Sequence, residues 1–198
     1  NNEKEIMNKS DEFNLFYHDN DNMCYNFIEG QNISREYFNN NLNDIIIKLK
    51  SYHQINVKTE TFWEEIIPKW LDLLPEKLKL SSKDELINIY HKITDKINQV
   101  KDKNDLVLCH QDVHSANIIK NYKGLSFIDL EFSFINYYFV DLGNLICEVF
   151  TDYQNEVYTY ENINNQIKHD VLKIYFNGEY SNFELDKTNI GILISHFY

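Results

Sequence analysis

The sequence predicts an α+β fold, and three observations carry that prediction. Long stretches with apolar residues at helical spacing surround one block, 106–131, built from three short apolar runs. Only two prolines and five glycines occur in 198 residues, and no internal repeat at a solenoid period is found, which argues against a loop-rich or repeat-built chain. A hydrophobic content of 43% and an aromatic content of 15% exclude general disorder. They supply a core for one domain, or a domain and a fraction.

Taken in order, residues 3–10 are polar and read as the tail of a helix. Residues 13–17 and 23–28 read as two strands around a hairpin turn at 18–22, and 29–32 end the second strand. From Arg35 to Tyr52 apolar positions recur at helical spacing, with Ser34 as the N-cap. Residues 62–74 form a second apolar stretch that Pro68 kinks or interrupts. Ser82 and Glu85 form a capping box that opens a further helix with a stripe from Leu86 to Val100. After the central block, 139–150 reads as a buried helix and 163–176 as another, stopped by Asn177-Gly178. An apolar helix begins at Leu185 and runs to the last residues. Two strands are too few for a stable sheet. The opening hairpin is therefore expected to be the remnant of a larger β unit, and the chain a fragment or an incompletely represented protein.

The net charge of −12 restricts the partners. No Lys/Arg cluster offers the basic face a nucleic acid needs. An anionic nucleotide requires metal ions to neutralise its phosphates here, whereas a cationic small molecule is attracted. The three cysteines form no CxxC pair, which fits a reducing compartment. No apolar run reaches membrane-spanning length and no signal peptide is evident, so the expected location is cytoplasmic, without membrane insertion.

The chemistry concentrates in 106–131. Residues 106–109 are an apolar strand, and a polar loop follows with the order His110-x-Asp112-x4-Asn117. A turn at 121–124 leads to a third run that delivers Asp129 and then Glu131. This is the spacing of a kinase catalytic loop, in which an Asp faces the substrate hydroxyl and an Asn five residues on binds Mg²⁺. Phosphoryl transfer is mostly positioning and charge neutralisation, so it needs hard oxygen ligands and a carboxylate aimed at the attacking hydroxyl. Asp112 is the expected catalytic carboxylate, with Asn117 and Asp129 as metal ligands. His110 is a candidate for the same chemistry, although such a residue more often braces the loop.

These motifs, with Ile128-Asp129-Leu130-Glu131-Phe132 and then Asp141-x-Gly143-Asn144, resemble the choline/ethanolamine kinases, an aminoglycoside-phosphotransferase-like branch of the protein-kinase-like fold. Cys147-Glu148-x3-Asp152-Tyr153 is similar to that family's continuation, and Ser195-His196-Phe197 to the start of one of its late helices. The resemblance implies a two-lobe fold, with 1–30 as the remnant of the N-lobe and hinge and 31–198 as the helical C-lobe. It implies ATP and Mg²⁺ as cofactors, with backbone groups of Asn26 and Ile28 and the side chain of Ile128 meeting the adenine. Glu131 becomes a further acidic partner of the metal, and Asp141 a brace for the catalytic loop. Glu148, Tyr153 and Phe132 fall at the pocket for a small cationic amino alcohol, where a carboxylate and ring faces suit a permanent cation. Either Glu3 or Glu5 pairs with a phosphate-gripping Lys, which is expected upstream along with the glycine-containing phosphate loop.

Two departures stand out. Gln111 replaces the Asn or Gly usual before the catalytic Asp, and Leu145 stands where the family has His. The expected reaction is phosphorylation of choline to phosphocholine, a phospholipid precursor. Ethanolamine is the nearest alternative, and an aminoglycoside- or thiamine-type acceptor is the next. A non-catalytic pseudokinase or an inactive fragment is the reading of another class, and a homodimer is left open.

Overall fold

A computed structural model describes residues 2–10, 13, 15–18, 23–76 and 82–197. Helix α1 (Asn2–Lys9) precedes a two-stranded antiparallel pair, β1 (Leu15–His18) and β2 (Met23–Tyr25). Residues 19–22, the rest of the expected hairpin turn, lie outside the described residues. A short strand β3 (Gln31–Asn32) follows, so these residues start a new pairing rather than close the earlier strand.

The expected helix from 35 to 52 is two helices, α2 (Arg35–Asn40) and α3 (Leu42–Tyr52). Ser34 caps the first, its side chain accepting from the amide of Tyr37. The break falls at Asn41, whose backbone leaves the helical region and whose amide side chain donates to the Tyr37 carbonyl at 2.8 Å. Asn favours such local bonds over continuing a helix. Ile45, Ile46 and Leu49 of α3 are fully buried and anchor it in the core.

Pro68 behaves differently from a mid-helix kink. A π-helical turn occupies Phe62–Ile66, and α4 (Ile67–Leu73) begins after it with Pro68 in its first turn, where no backbone donor is lost. The capping box of α5 (Lys83–Val100) forms as expected: Glu85 accepts from the Ser82 amide at 2.8 Å while the Ser82 hydroxyl accepts from the Glu85 amide.

The central block holds β4 (Leu106–Cys109), β5 (Ile118–Asn121) and β6 (Gly124–Phe127), but they do not share a sheet. Strand β4 pairs with β7 (Phe134–Tyr137), a strand that the residue pattern did not predict, in register from Leu106↔Tyr137 to Cys109↔Phe134. The β5–β6 hairpin adds β3 at its other edge. Helix α6 (Tyr138–Val149) is buried at every position from Tyr138 to Cys147, as expected of a core helix. A small pair, β8 (Thr151–Asp152) and β9 (Val157–Tyr158), leads to α7 (Asn165–Tyr175) and α8 (Asn182–Ser195). Asn177 and Gly178 both adopt positive φ after α7 and end it. Ser195 is the last residue of α8 and His196 its C-cap, and the Phe197 ring packs on Trp63 at 5.6 Å.

Helices α6 and α8 cross at a pair of glycines. A Cβ on Gly191 would stand 1.8 Å from the Phe139 carbonyl oxygen, and one on Gly143 would stand 2.1 Å from the Gly191 backbone. Both obstacles are backbone and cannot swing aside. Gly191→Ala is therefore expected to destabilise the protein by about 3 kcal/mol, the upper end for overpacking. A thermal or denaturant midpoint equal to the wild type would refute this packing.

Candidate active site

The loop 110–117 joins β4 to β5 and is suspended from the first turns of α6. Asp141 is fully buried and accepts from the amides of His110 at 2.8 Å and Gln111 at 2.7 Å. One turn later, the Asn144 side chain accepts from the Val113 amide at 2.7 Å. A buried carboxylate satisfied by several donors is a strong clamp. His53 of α3 adds a further contact, with Nε2 2.9 Å from Asp141 Oδ2 and Nδ1 2.7 Å from the Tyr175 hydroxyl.

Gln111 sits at φ 68°, a left-handed conformation that Asn and Gly adopt more readily than Gln. Its side chain is fixed from both ends: Oε1 accepts from Asn136 at 2.7 Å and Nε2 donates to the Phe132 carbonyl. That anchoring accounts for a longer residue at this turn.

His110 has a fully buried ring. Nδ1 accepts from the Asp112 amide at 3.3 Å, which places the proton on Nε2, 3.0 Å from the Ile128 carbonyl. The ring thus ties the loop to the strand end that carries Asp129. Its burial and these two bonds suit bracing, the second of the two roles open to it in the sequence. Burial pushes its pKa below the usual histidine value. The unfolded chain therefore takes a proton near pH 6.5 that the folded chain refuses. Stability contributed by His110 is present above that pH and declines as pH falls through it. Denaturant midpoints between pH 7 and 5 should fall less steeply in His110→Gln than in the wild type.

Asp112 is half-buried at the floor of a cleft of about 500 Å³. Its Oδ2 accepts from Asn117 Nδ2 at 2.7 Å and lies 3.4 Å from His114 Nε2. Burial alone would raise its pKa, but His114, His110 and Asn117 outweigh that and hold the carboxyl below its ordinary value. The Asn117 amide also donates to the Asp112 carbonyl at 3.1 Å, so its side-chain oxygen is the atom suited to ligate a cation. The Asn117 carbonyl in turn accepts from the Ile128 amide at 3.0 Å, so Asn117 and the Asp129 turn are stitched side by side. Asp129 is exposed and left-handed, at φ 62° and ψ 62°, a conformation Asp tolerates better than most residues.

Glu131 is exposed one turn further, and Glu3 of α1 faces both carboxylates. Burial first, and then Asp129 and Glu131, raise the pKa of Glu3. Glu5 is engaged elsewhere, with Lys9 at 3.0 Å and the Lys58 amide at 3.0 Å. Of the two candidate glutamates, Glu3 is the one that turns toward the site. The donor set of an amide oxygen and carboxylates suits a hard divalent cation such as Mg²⁺. A separate buried group, His53, Cys109 and Asp141, is engaged internally, and its thiol is pushed well up by burial.

The wall of the Asp112 cleft brings together the expected Glu148, Tyr153 and Phe132, with the Tyr153 hydroxyl donating to Glu148 Oε1 at 2.8 Å. Burial raises the pKa of Glu148. Phe62, Trp70, Tyr160 and Ser195 also line this cleft and were absent from the expected set. They come from distant segments, and no local spacing marks them. His114 was missed too, although its place two residues after Asp112 was a usable signal. Leu145 is fully buried in α6 and is not among the lining residues. Asn26 and Ile28 line a second cleft of about 400 Å³ with Glu29, Lys48, Leu125 and Ser126. Ile128 lies two residues beyond Ser126, outside that lining.

This arrangement, a clamped loop between strands with an Asp-bearing turn beside it, defines a protein-kinase-like fold. Residues 5–188 match the family model described as choline/ethanolamine kinase. The chain belongs to the choline/ethanolamine kinase family. It is 29% identical to a protein of Dictyostelium discoideum named probable ethanolamine kinase A, over 100% of this chain and 63% of that protein. Its fold is similar to an ethanolamine kinase of Plasmodium vivax, with a TM-score of 0.80 at 19% identity over 98% of this chain and 63% of the other. A choline kinase of Cryptosporidium parvum gives a TM-score of 0.66 at 15% identity, over 97% of this chain and 67% of the other. The chain thus spans less than two thirds of the first relatives it matches.

Proposed function

We propose that the protein transfers the γ-phosphoryl group of ATP to the hydroxyl of a small amino alcohol, with choline as the first acceptor. One observation carries this reading. The Asp112 carboxylate faces the same cleft as the Glu148–Tyr153 pair and the rings of Phe62, Trp70, Phe132 and Tyr160. A quaternary ammonium is attracted to ring faces and to a carboxylate, and the reactive hydroxyl lies two carbons from it. Ethanolamine is the second reading, supported by the name of the Dictyostelium relative.

In this reading Asp112, ionised at neutral pH, accepts a hydrogen bond from the hydroxyl and orients it. Asn117, Asp129 and Glu131 hold a divalent cation, taken as Mg²⁺. Such an ion, when bound, would supply positive charge to offset that of the nucleotide phosphates. Backbone groups of Asn26 and Ile28 meet the base, with Ile128 against it, and residues 1–30 belong to the first lobe and hinge. Asp141 supports the loop from below. The free cysteines fit a reducing compartment, and the cytoplasm is the proposed location.

The test is turnover of an acceptor panel by the full-length protein with ATP and Mg²⁺: choline, ethanolamine, thiamine and an aminoglycoside. The highest kcat/KM is expected for choline. Glu148→Gln should raise the KM for choline about tenfold, the cost of one cation–carboxylate contact, with a smaller change in kcat. Turnover of thiamine or the aminoglycoside alone would refute the amino-alcohol reading.

A further inference from the structure

His114 stands beside the reacting carboxylate without lining the acceptor cleft, and its geometry is specific. Nδ1 accepts from the Ala116 amide at 3.3 Å, so in the neutral ring the proton is on Nε2. Nε2 is 3.4 Å from Asp112 Oδ2, close for an ion pair and long for a hydrogen bond. Asn117 Nδ2 reaches the same oxygen at 2.7 Å. Both donors converge on Oδ2, and Oδ1 is the oxygen left for another partner. The His114 ring packs 5.9 Å from the Tyr153 ring, and the Tyr153 hydroxyl is bonded to Glu148. The ring thus lies against both the Asp112 carboxylate and Tyr153 of the wall that carries Glu148.

We propose that His114 is a positioning residue for Asp112: together with Asn117 it holds Oδ2, so that Oδ1 faces the acceptor hydroxyl at a fixed angle. The inference rests on the phosphotransferase reading above. In the transfer, the hydroxyl oxygen forms a bond to the γ-phosphorus, and the bond from that phosphorus to the β,γ-bridging oxygen breaks. The electron pair leaves with ADP, and the hydroxyl proton passes to Asp112 Oδ1. A carboxylate free to rotate would present that oxygen only part of the time, which lowers kcat. His114 is not among the residues lining the cleft, so the effect is expected in kcat rather than in the KM for the acceptor.

The experiment compares His114→Leu with His114→Gln in the full-length protein, with thermal midpoints measured on each. Gln carries an N–H group close to the place of imidazole Nε2, whereas Leu fills the space without a donor. His114→Leu is expected to lower kcat about 10- to 100-fold, with the KM for the acceptor within about twofold of wild type. His114→Gln should recover kcat to within about threefold of wild type. A wild-type kcat in His114→Leu would overturn the proposal, as would a raised KM with unchanged kcat. Equal losses in the two variants at native thermal midpoints would overturn it as well, because the donor would then be irrelevant. If His114→Leu does not fold, His114→Gln decides alone, and a folded variant slowed more than about tenfold overturns the proposal. A wild type that turns over none of the acceptors would overturn the phosphotransferase reading and this inference together. A wild type that does so, with His114→Leu unimpaired, would overturn this inference alone.

Discussion

Asp112→Asn is expected to lower kcat by about 10³-fold while leaving the thermal midpoint near that of the wild type, because a positioned general base contributes on that order. The reason lies in the immediate surroundings of the carboxylate. Oδ2 is already engaged by Asn117 at 2.7 Å, so the substituted amide can keep one oxygen there. Its NH₂ group must then occupy the place of Oδ1 and offer a donor to a hydroxyl that needs an acceptor. The backbone is untouched, since the Asp112 amide bonds His110 and its carbonyl bonds Asn117. Steady-state kinetics on the full-length protein read the effect, with the unfolding midpoint as the control. Retention of kcat within about tenfold would remove Asp112 from the reaction.

The second large effect is expected at Asp141, where chemistry and stability meet. Both of its oxygens accept: Oδ2 from the His110 amide and His53, and Oδ1 from the Gln111 amide. Asp141→Asn preserves volume but must turn an N–H₂ group toward at least one buried donor. Leaving buried donors unsatisfied costs about 1–3 kcal/mol each, so a loss of about 3 kcal/mol of stability is expected. The same change releases the loop that carries Asp112, and kcat should fall with it by about 10²-fold, the scale of a displacement near 1 Å. Denaturant unfolding and kinetics on the same preparations check both parts. A stability change below about 0.5 kcal/mol would show that the amides find other partners, and the proposed bracing role would fail.

Much of this architecture was legible in the residues because it is encoded locally. The capping box at Ser82 and Glu85 forms as read, since both bonds lie within one helical turn. The turn at 121–124 and the three short strands also form, because alternating apolar runs and a glycine leave few other conformations. The spacing from His110 to Asn117 falls on the segment between β4 and β5. Other features were not legible. Strand β7 exists because its residues find β4 as a partner, and its own sequence, FINY, has no strict alternation. The break at Asn41 rests on one side-chain bond to the Tyr37 carbonyl, and neither it nor the π-turn before Pro68 disturbs the helical periodicity on both sides. His53 showed no sign of its role, since it reaches Asp141 across 88 residues of chain.

The sequence by itself determined the class of fold, the order of the polar groups along one stretch, and the chemistry those groups suit. A carboxylate, an amide and a second carboxylate at fixed separations remain so in any conformation that keeps their strands. Only the tertiary structure decided which atoms face which. It turned both donors onto Oδ2 of Asp112, hung the loop from Asp141, and set Glu3 near Asp129 and Glu131 while Glu5 meets Lys9. It also built the cleft wall from Phe62, Trp70, Glu148, Tyr153 and Ser195, residues that span more than half the chain. The physical reason is range: turns and caps are set by bonds within a few residues, whereas a cleft is the space left between elements that pack from far apart.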